Sequence, residues 1–174
     1  MTATLLTNGN TYEFAVAAAN AVGQSQRSNV VSARPLPPIP TAPSSLAAAA
    51  GDGKVTLTWG ASTPSSVYYT IQYRPVGGTF SSMPLPVSGT SLTVAPLANG
   101  TRYEFRVRAE NLGGASPWST IASARPMPPA PTKPASLTAT AGDRKVVLSW
   151  TAATPPGVLY LVEYRVNGAT AWQR

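Results

Sequence analysis

Apolar and polar residues alternate with a period of two in three stretches of the chain, "KVTLTW" (54–59), "YYTIQYR" (68–74) and "YEFRVRA" (103–109). This period is typical of β-strands with one buried face, whereas an amphipathic helix repeats every three to four residues. The alternation therefore predicts three strands with polar side chains on the solvent face. The predicted inward residues are Val55, Leu57, Trp59, Tyr69, Ile71, Tyr73, Tyr103, Phe105, Val107 and Ala109.

Turn residues separate these strands. Gly51-Asp52-Gly53, Gly77-Gly78 and Asn99-Gly100 stand between the alternating stretches, and Gly and Asn tolerate the positive φ angles that tight reversals need. No segment of helix length shows helical spacing. Short strands joined by such turns predict an all-β chain folded as antiparallel β-sandwiches.

The chain repeats itself with an offset of 91 residues. The stretch "RPLPPIPTAPSSLAAAAGDGKVTLTW" (34–59) aligns without a gap to "RPMPPAPTKPASLTATAGDRKVVLSW" (125–150), with 17 of 26 positions identical. At the same offset, "LTNGNTYEFAVAAAN" (6–20) returns as "LANGTRYEFRVRAEN" (97–111). The period is as long as one domain, so the repeat predicts tandem modules.

The repeat predicts one complete module flanked by two partial ones. We expect the last three strands of a module in 1–34, a proline-rich linker in 35–43, a complete module in 44–125, a second linker in 126–134 and the first three strands of a module in 135–174. Arg174 aligns with position 83 and Met1 with position 92. The two partial pieces are therefore expected to be complementary halves that together lack only positions 84–91.

Several separated motifs carry a family resemblance. They are Trp59, Tyr69 and Tyr73, then Leu97, Gly100, Thr101, Tyr103 and Asn111, then Gly114, Ser116, Pro117, Trp118 and Ser119. In this order they resemble the fibronectin type III family, of the kind found in tandem in secreted bacterial polysaccharide-degrading enzymes. The resemblance covers the whole chain. It implies immunoglobulin-like sandwiches in which Trp59 fills the space between the sheets and Tyr103 forms a tyrosine corner.

The two proline segments, "PLPPIPTAP" (35–43) and "PMPPAPTKP" (126–134), hold ten of the eighteen prolines. Proline fixes φ and favours extended polyproline II, which predicts semi-rigid spacers between modules. A ligand motif for SH3-type domains is the alternative for "PLPP". We favour the spacer because the same segment recurs at both predicted junctions.

The inventory of chemical groups argues against an enzyme. Cysteine and histidine are absent, so thiolate metal sites and histidine-dependent catalysis are excluded. The carboxylates are Glu13, Asp52, Glu104, Glu110, Asp143 and Glu163. Glu104 and Glu110 stand six residues apart on one strand, about 20 Å, which is too far for an acid/base pair. We expect no catalytic residue, cofactor or metal, and assign Asp52 to its own turn rather than to calcium.

The formal charge is +7, from 13 Lys and Arg against 6 Asp and Glu. The arginines are spread along the chain without a basic stripe, which argues against nucleic acid as a partner. The excess predicts ordinary surface charge, with a specific anionic ligand as the alternative. No apolar run of membrane-spanning length and no signal peptide occur in the sequence. We expect an extracellular or cell-surface location, with the export signal outside this chain.

Each partial module is expected to expose an apolar face and unpaired strand edges, and so to need a partner. The residues predicted to be covered on assembly are Tyr12, Phe14 and Val16 in the first piece and Trp150, Tyr160, Val162 and Tyr164 in the last. Head-to-tail completion between copies would build a filament, because such a contact does not close. Two alternatives remain, namely a window from a longer tandem array with neighbouring modules as partners, and a truncation with disordered ends.

A binding module is the rival to the structural interpretation. The predicted solvent face of the complete module carries Tyr68, Gln72, Arg106, Arg108 and Trp118, which could hold a polysaccharide or a protein. Exposed aromatic rings often form sugar-binding platforms, and Tyr68 and Trp118 fall outside the inward phase. The inward aromatic residues are assigned to the core instead.

Overall fold

The computed structural model describes residues 1–174, which form β-strands and loops without helix. The strands are β1 (Tyr12–Phe14), β2 (Val31–Ala33), β3 (Ser44–Gly51), β4 (Lys54–Gly60), β5 (Tyr68–Pro75), β6 (Ser81–Ser82), β7 (Ser91–Val94), β8 (Tyr103–Asn111), β9 (Gly114–Ala115), β10 (Ala122–Ala124), β11 (Ala135–Gly142) and β12 (Lys145–Thr151). The chain divides into two compact units, Met1–Pro126 and Met127–Arg174.

Two antiparallel sheets form the complete module. One sheet has the order β3-β4-β7 and the other the order β10-β8-β5-β6, with β9 paired to β8. The sheets pack face to face, since the buried side chains of β4 and β7 lie in one core cluster with those of β5 and β8. The all-β sandwich that the alternation predicts is confirmed in this module.

The core lies between these two sheets. Along β8 the side chains alternate between buried and partly exposed, and Phe105, Val107 and Ala109 are fully buried. Trp59 packs edge-on against Tyr69, with 5.4 Å between the ring centroids and 65° between the planes. The predicted inward residues are buried, except that Tyr73 is only partly so.

Two tyrosine hydroxyls serve as hydrogen-bond acceptors at the margin of this core. The Tyr103 hydroxyl accepts a hydrogen bond from the backbone N–H of Ala98 at 3.2 Å, as the tyrosine corner implies. The Tyr69 hydroxyl accepts one from the N–H of Ser62 at 2.9 Å. The two tyrosine rings are thereby buried without leaving their hydroxyls unpaired, whereas the Trp59 Nε1 atom is buried without a hydrogen-bond partner.

The first linker is packed on the complete module. Pro40 and Pro43 are buried, and the side-chain amide of Asn111 donates a hydrogen bond to the carbonyl of Pro38 at 2.9 Å. Gly113, two residues after Asn111, lies against the Pro37 carbonyl. The linker therefore has a defined path over the turn between β8 and β9.

Residues 1–34 form two strands of the three that the sequence predicts. β1 pairs antiparallel with β2, and an isolated bridge joins Ala19 to Gln24. The counterpart of β7 would fall at residues 1–3, which are not in a strand. In the complete module β7 pairs with β4, and residues 1–34 contain no counterpart of β4. The third strand is absent because its partner strand is not in this segment.

Residues 135–174 also form two strands rather than three. β11 pairs with β12 in the register of β3 with β4 displaced by 91, with the register shift at the same place. The expected third strand, at 159–166, is reduced to a bridge between Tyr164 and Gln173. Its counterpart β5 pairs with β8 along its whole length, and this segment has no counterpart of β8. For the same reason, two of the three strands expected in this segment are formed.

Candidate functional site

The last segment exposes an apolar cleft on the face that would be a sandwich core. The cleft has a volume of about 280 Å³ and is lined by Pro134, Leu137, Leu148, Trp150, Tyr160, Leu161, Val162 and Glu163. Trp150 and Leu148 are partly buried in it. Three of the four residues predicted to be covered on assembly in this segment line the cleft, and Tyr164 does not.

Exposure is what distinguishes this face from the core of the complete module. Tyr160 is 38% exposed where its counterpart Tyr69 is 2% exposed, and Val162 is 43% exposed where Ile71 is 0% exposed. The pattern of side chains is that of a core, but one sheet of the sandwich is missing. The result is an uncovered half-core.

The local geometry of this half-core nevertheless matches that of the complete module. The rings of Trp150 and Tyr160 lie 5.2 Å apart at 60°, against 5.4 Å and 65° for Trp59 and Tyr69. The Tyr160 hydroxyl accepts a hydrogen bond from the N–H of Ala153 at 2.7 Å, as Tyr69 does from Ser62. The segment therefore presents its aromatic residues already in the arrangement of a sandwich core.

Residues 1–34 keep two hydrogen bonds that the complete module makes at the equivalent positions. The Tyr12 hydroxyl accepts a hydrogen bond from the N–H of Thr7 at 2.9 Å, and this bond lowers the pKa of Tyr12. The Ser28 hydroxyl accepts one from the N–H of Val16 at 3.0 Å, as the Ser119 hydroxyl does from Val107 at 3.1 Å. These bonds form a tyrosine corner at Tyr12 and hold Ser28 beside Val16, although the other strands of a module are not in this segment.

The apolar side chains of the first segment are open to solvent. Val16 is 72% exposed, whereas its counterpart Val107 is 0% exposed. Tyr12 and Phe14 are partly buried, and their ring centroids are 6.5 Å apart. The three head residues predicted to be covered on assembly are therefore accessible.

The solvent face of the complete module carries a stack of arginines and aromatic rings. The Arg106 guanidinium lies 4.0 Å from the ring centroid of Phe80 and 4.4 Å from that of Trp118. Arg74 lies 4.2 Å from the Phe80 centroid, and Arg108 lies 4.8 Å from that of Trp118. We call Arg74, Phe80, Arg106, Trp118 and Arg108 the arginine–aromatic ladder. Cation–π contacts of this kind contribute about 0.5–1 kcal/mol each at exposed sites.

The ladder arginines also have polar partners in the same sheet. The Arg74 Nε lies 2.7 Å from a Glu104 carboxylate oxygen, and Arg106 donates two hydrogen bonds to Gln72 Oε1 at 2.6 and 3.0 Å. Guanidinium groups whose N–H donors already have partners are less available to an anionic ligand. This geometry favours a stabilising role for the ladder.

Glu110 closes the ladder at its other end. Its carboxylate accepts hydrogen bonds from the Thr70 hydroxyl at 2.6 Å and from Arg108 Nε at 2.8 Å. Burial raises the pKa of Glu110, but the hydrogen bonds from Thr70 and Arg108 outweigh burial and hold that pKa below its usual value. Glu110 is therefore an ionised structural partner.

The structure brings four of the five predicted binding residues into the ladder or into contact with it, namely Gln72, Arg106, Arg108 and Trp118. Tyr68 is on the same face, 42% exposed, beside a cavity also lined by Pro37 and Leu112. Sequence reasoning missed Phe80, which lies in a loop before β6. The signal available in the sequence was an aromatic residue shortly after the turn residues Gly77 and Gly78.

No three His, Cys, Asp or Glu side chains are grouped so that they could hold a metal ion. The structure contains no helix with the length and apolar character needed to cross a membrane.

Comparisons with known proteins agree with this geometry. A family model described as the fibronectin type III domain matches residues 41–125. Over 119 residues the chain is 34% identical to a Kelch domain-containing protein of Saccharolobus solfataricus, a match that covers 67% of this chain and 16% of that protein. It is 37% identical over 117 residues to chitinase A1 of Niallia circulans, covering 63% of this chain and 16% of the enzyme.

A crystal structure of domains from titin shares the fold, with a TM-score of 0.52 and 21% identity, covering 70% of this chain and 43% of that one. The chain spans about a sixth of the length of the two curated relatives. The two packed sheets and the tyrosine corner define the class, an immunoglobulin-like antiparallel β-sandwich. Residues 41–125 form a domain of the fibronectin type III family.

Proposed function

We propose that this chain is a non-catalytic structural spacer of an extracellular protein. We further propose that residues 135–174 of one copy and residues 1–34 of the next copy fold together into a second module. The observation that carries this proposal is the half-core, in which Trp150 and Tyr160 keep the core geometry of Trp59 and Tyr69 while remaining uncovered.

The energetics favour docking of a whole half-module rather than of one strand. Full burial of a large apolar side chain contributes about 1.5–3 kcal/mol, whereas association costs roughly 4–15 kcal/mol in lost freedom. Several exposed side chains must therefore be covered together. The half-core and the head residues Tyr12, Phe14 and Val16 supply such a set.

Joining head to tail has a consequence for the assembly. A contact between residues 135–174 of one copy and residues 1–34 of the next joins two different surfaces, so it is heterologous and does not close on itself. Such a contact builds a filament with two modules per copy, one complete and one joined. The docked proline segment supports the spacer role, because it restrains how consecutive modules are oriented.

Electron microscopy and light scattering of the purified chain test this proposal. We expect filaments with a repeat of about two modules, and we expect Trp150→Ala to abolish them by removing the centre of the joined core. Trp172→Ala is the matched control, because Trp172 is 58% exposed and stacks on Arg165 rather than in the cleft. Single particles from the unchanged chain, or polymers of unchanged length from Trp150→Ala, would refute the assembly and leave only the spacer.

A second candidate function is retention on polysaccharide through the solvent face of the complete module. It is supported by the exposed ring of Tyr68 and by a relative that is named a chitinase. A pull-down on chitin, cellulose and an anionic polysaccharide tests it. Loss of retention in Tyr68→Ala or Arg106→Ala would favour binding, and absence of retention in the unchanged chain would eliminate it.

A further inference from the structure

We propose that Asn167 is a site of spontaneous deamidation, a covalent modification that replaces its side-chain amide by a carboxylate. The sequence Asn-Gly occurs at 8–9, 99–100 and 167–168. The reaction needs the backbone nitrogen of the glycine to reach the side-chain carbonyl carbon of the asparagine. Hydrogen bonds that hold either group therefore decide which of these pairs reacts.

The modification needs no reagent other than water. The Gly168 nitrogen, which has no neighbouring side chain to hinder it, attacks Cγ of Asn167 to form a carbon–nitrogen bond. Its proton passes through solvent to the side-chain nitrogen, which leaves as ammonia, and a cyclic succinimide remains. Water then opens the ring at one of its two carbonyls, giving aspartate or isoaspartate. Either product carries one new negative charge.

The turn that carries Asn167 leaves both reacting groups free. The N–H of Ala169 donates a hydrogen bond to the Val166 carbonyl at 3.0 Å, which places Asn167 and Gly168 at the tip of the turn. Asn167 is exposed, and neither its side-chain amide nor the N–H of Gly168 has a hydrogen-bond partner. A side chain at Gly168 would meet no atom within 4 Å, so the space around the attacking nitrogen is open.

The same turn is equally open in the complete module. Residues 75–78 form it there, closed by the equivalent hydrogen bond at 2.9 Å. Gly77 has a φ of +83°, against +89° for Gly168, and a side chain at Gly77 would also meet no atom within 4 Å. Val76, which aligns with Asn167, is 54% exposed. A complete set of strands therefore does not cover this turn.

Asn99 is exposed as well, but hydrogen bonds hold both of the groups that would react. Its side-chain nitrogen donates to an Asp52 carboxylate oxygen at 2.7 Å, and its side-chain oxygen accepts from the N–H of Gly53 at 2.9 Å. The N–H of Gly100 donates to the Pro126 carbonyl at 2.8 Å. Exposure alone therefore does not decide which pair reacts.

Peptide mapping by mass spectrometry tests the proposal on the unchanged chain during incubation at mildly alkaline pH. Trypsin cleaves after lysine and arginine, so Asn167 falls in the peptide 166–174 and Asn99 in the peptide 55–102. We expect deamidation at Asn167 to be at least about tenfold faster than at Asn99, whose hydrogen bonds must first break. The product at Asn167 should be a mixture of aspartate and isoaspartate.

Incubation in urea is the control, because unfolding removes the hydrogen bonds of Asn99. The two rates should then converge. Equal rates in the folded chain, or no deamidation at Asn167, would overturn the proposal. A difference that persists in urea would come from the neighbouring residues in the sequence and would overturn the role of the structure.

Asp52→Ala tests the protection of Asn99 directly, because it removes the carboxylate acceptor. We expect deamidation at Asn99 to become about three- to tenfold faster, with the module still folded by near-UV circular dichroism. Asp143→Ala is the matched control, since Asp143 aligns with Asp52 but lies in residues 135–174. An unchanged rate at Asn99 in folded Asp52→Ala would show that hydrogen bonding of its amide does not distinguish it from Asn167.

Discussion

Tyr12 and Tyr103 occupy equivalent positions of the repeat and make the same hydrogen bond, but their surroundings differ. Tyr103 is buried against the core of the complete module, and its hydroxyl accepts the hydrogen bond from Ala98. Tyr12, its counterpart 91 residues earlier, accepts the equivalent bond from Thr7 within an otherwise open segment. Since the hydrogen bond is the same, a substitution at the two positions separates the effect of packing from that of local geometry.

We predict that Tyr103→Phe destabilises the complete module by about 1 kcal/mol, because the Ala98 N–H loses its acceptor. In a domain of this size that is a fall in Tm of roughly 4–8 °C, measurable by thermal unfolding followed by near-UV circular dichroism. Tyr12→Phe is the matched control and should leave the main transition unchanged. Equal losses from both substitutions would contradict the prediction.

Burial of individual residues in the complete module could be predicted because a period of two encodes it directly. The positions from Val55 to Trp59 and from Tyr103 to Ala109 are buried in the order that the alternation gives. Phe80 could not be predicted in this way, because it lies outside any alternating stretch. Its place over Arg74 and Arg106 depends on the path of a loop rather than on strand periodicity.

At the scale of elements, a strand forms only where its partner is present. β11 and β12 form because both strands of that hairpin belong to one segment. Residues 159–166 have the same alternation as β5, yet lack a strand because the counterpart of β8 is elsewhere in the sequence. Alternation predicts which residues can pair, but pairing itself is a property of two segments.

The docked linker is a second feature that the sequence did not reveal. Proline content predicts an extended spacer, whereas the contact depends on Gly113, where any side chain would overlap the Pro37 carbonyl. In the first segment the corresponding position is Val22. The turn at 20–23 therefore cannot hold a proline segment in the same way, and the two junctions of the repeat are not equivalent.

We predict that Gly113→Ala releases residues 35–39 from the complete module without unfolding it. A methyl group at this position cannot coexist with the docked Pro37, and the linker is easier to displace than β8. Backbone order parameters from NMR relaxation should fall in the linker from about 0.85 to below roughly 0.6.

Gly89→Ala is the matched control for the docked linker, because a methyl group there would have no neighbour within 4 Å. It should leave the order parameters of the linker unchanged. If Gly113→Ala left the linker as rigid as before while the module lost its stability, the constraint would belong to the turn itself rather than to docking.

At the scale of the whole molecule, the formal charge of +7 opposes the proposed assembly. Copies that carry the same net charge repel one another over the Debye length, about 30 Å at 0.01 M salt and 8 Å at 0.15 M. An exposed ion pair contributes at most about 1 kcal/mol, so isolated charge pairs at the join would offset little of this repulsion. Repulsion between copies should therefore outweigh the attraction at the join when salt is low.

We predict that raising sodium chloride from about 0.01 M to 0.15 M lengthens the polymers at fixed protein concentration, because salt screens repulsion over this range. Multi-angle light scattering measures the change in mean mass. Trp150→Ala should stay monomeric at both salt concentrations, which separates assembly from general salting-out. Polymers that shorten with salt would mean that charge attraction at the join exceeds the net repulsion, and the apolar half-core would then no longer be the main source of affinity.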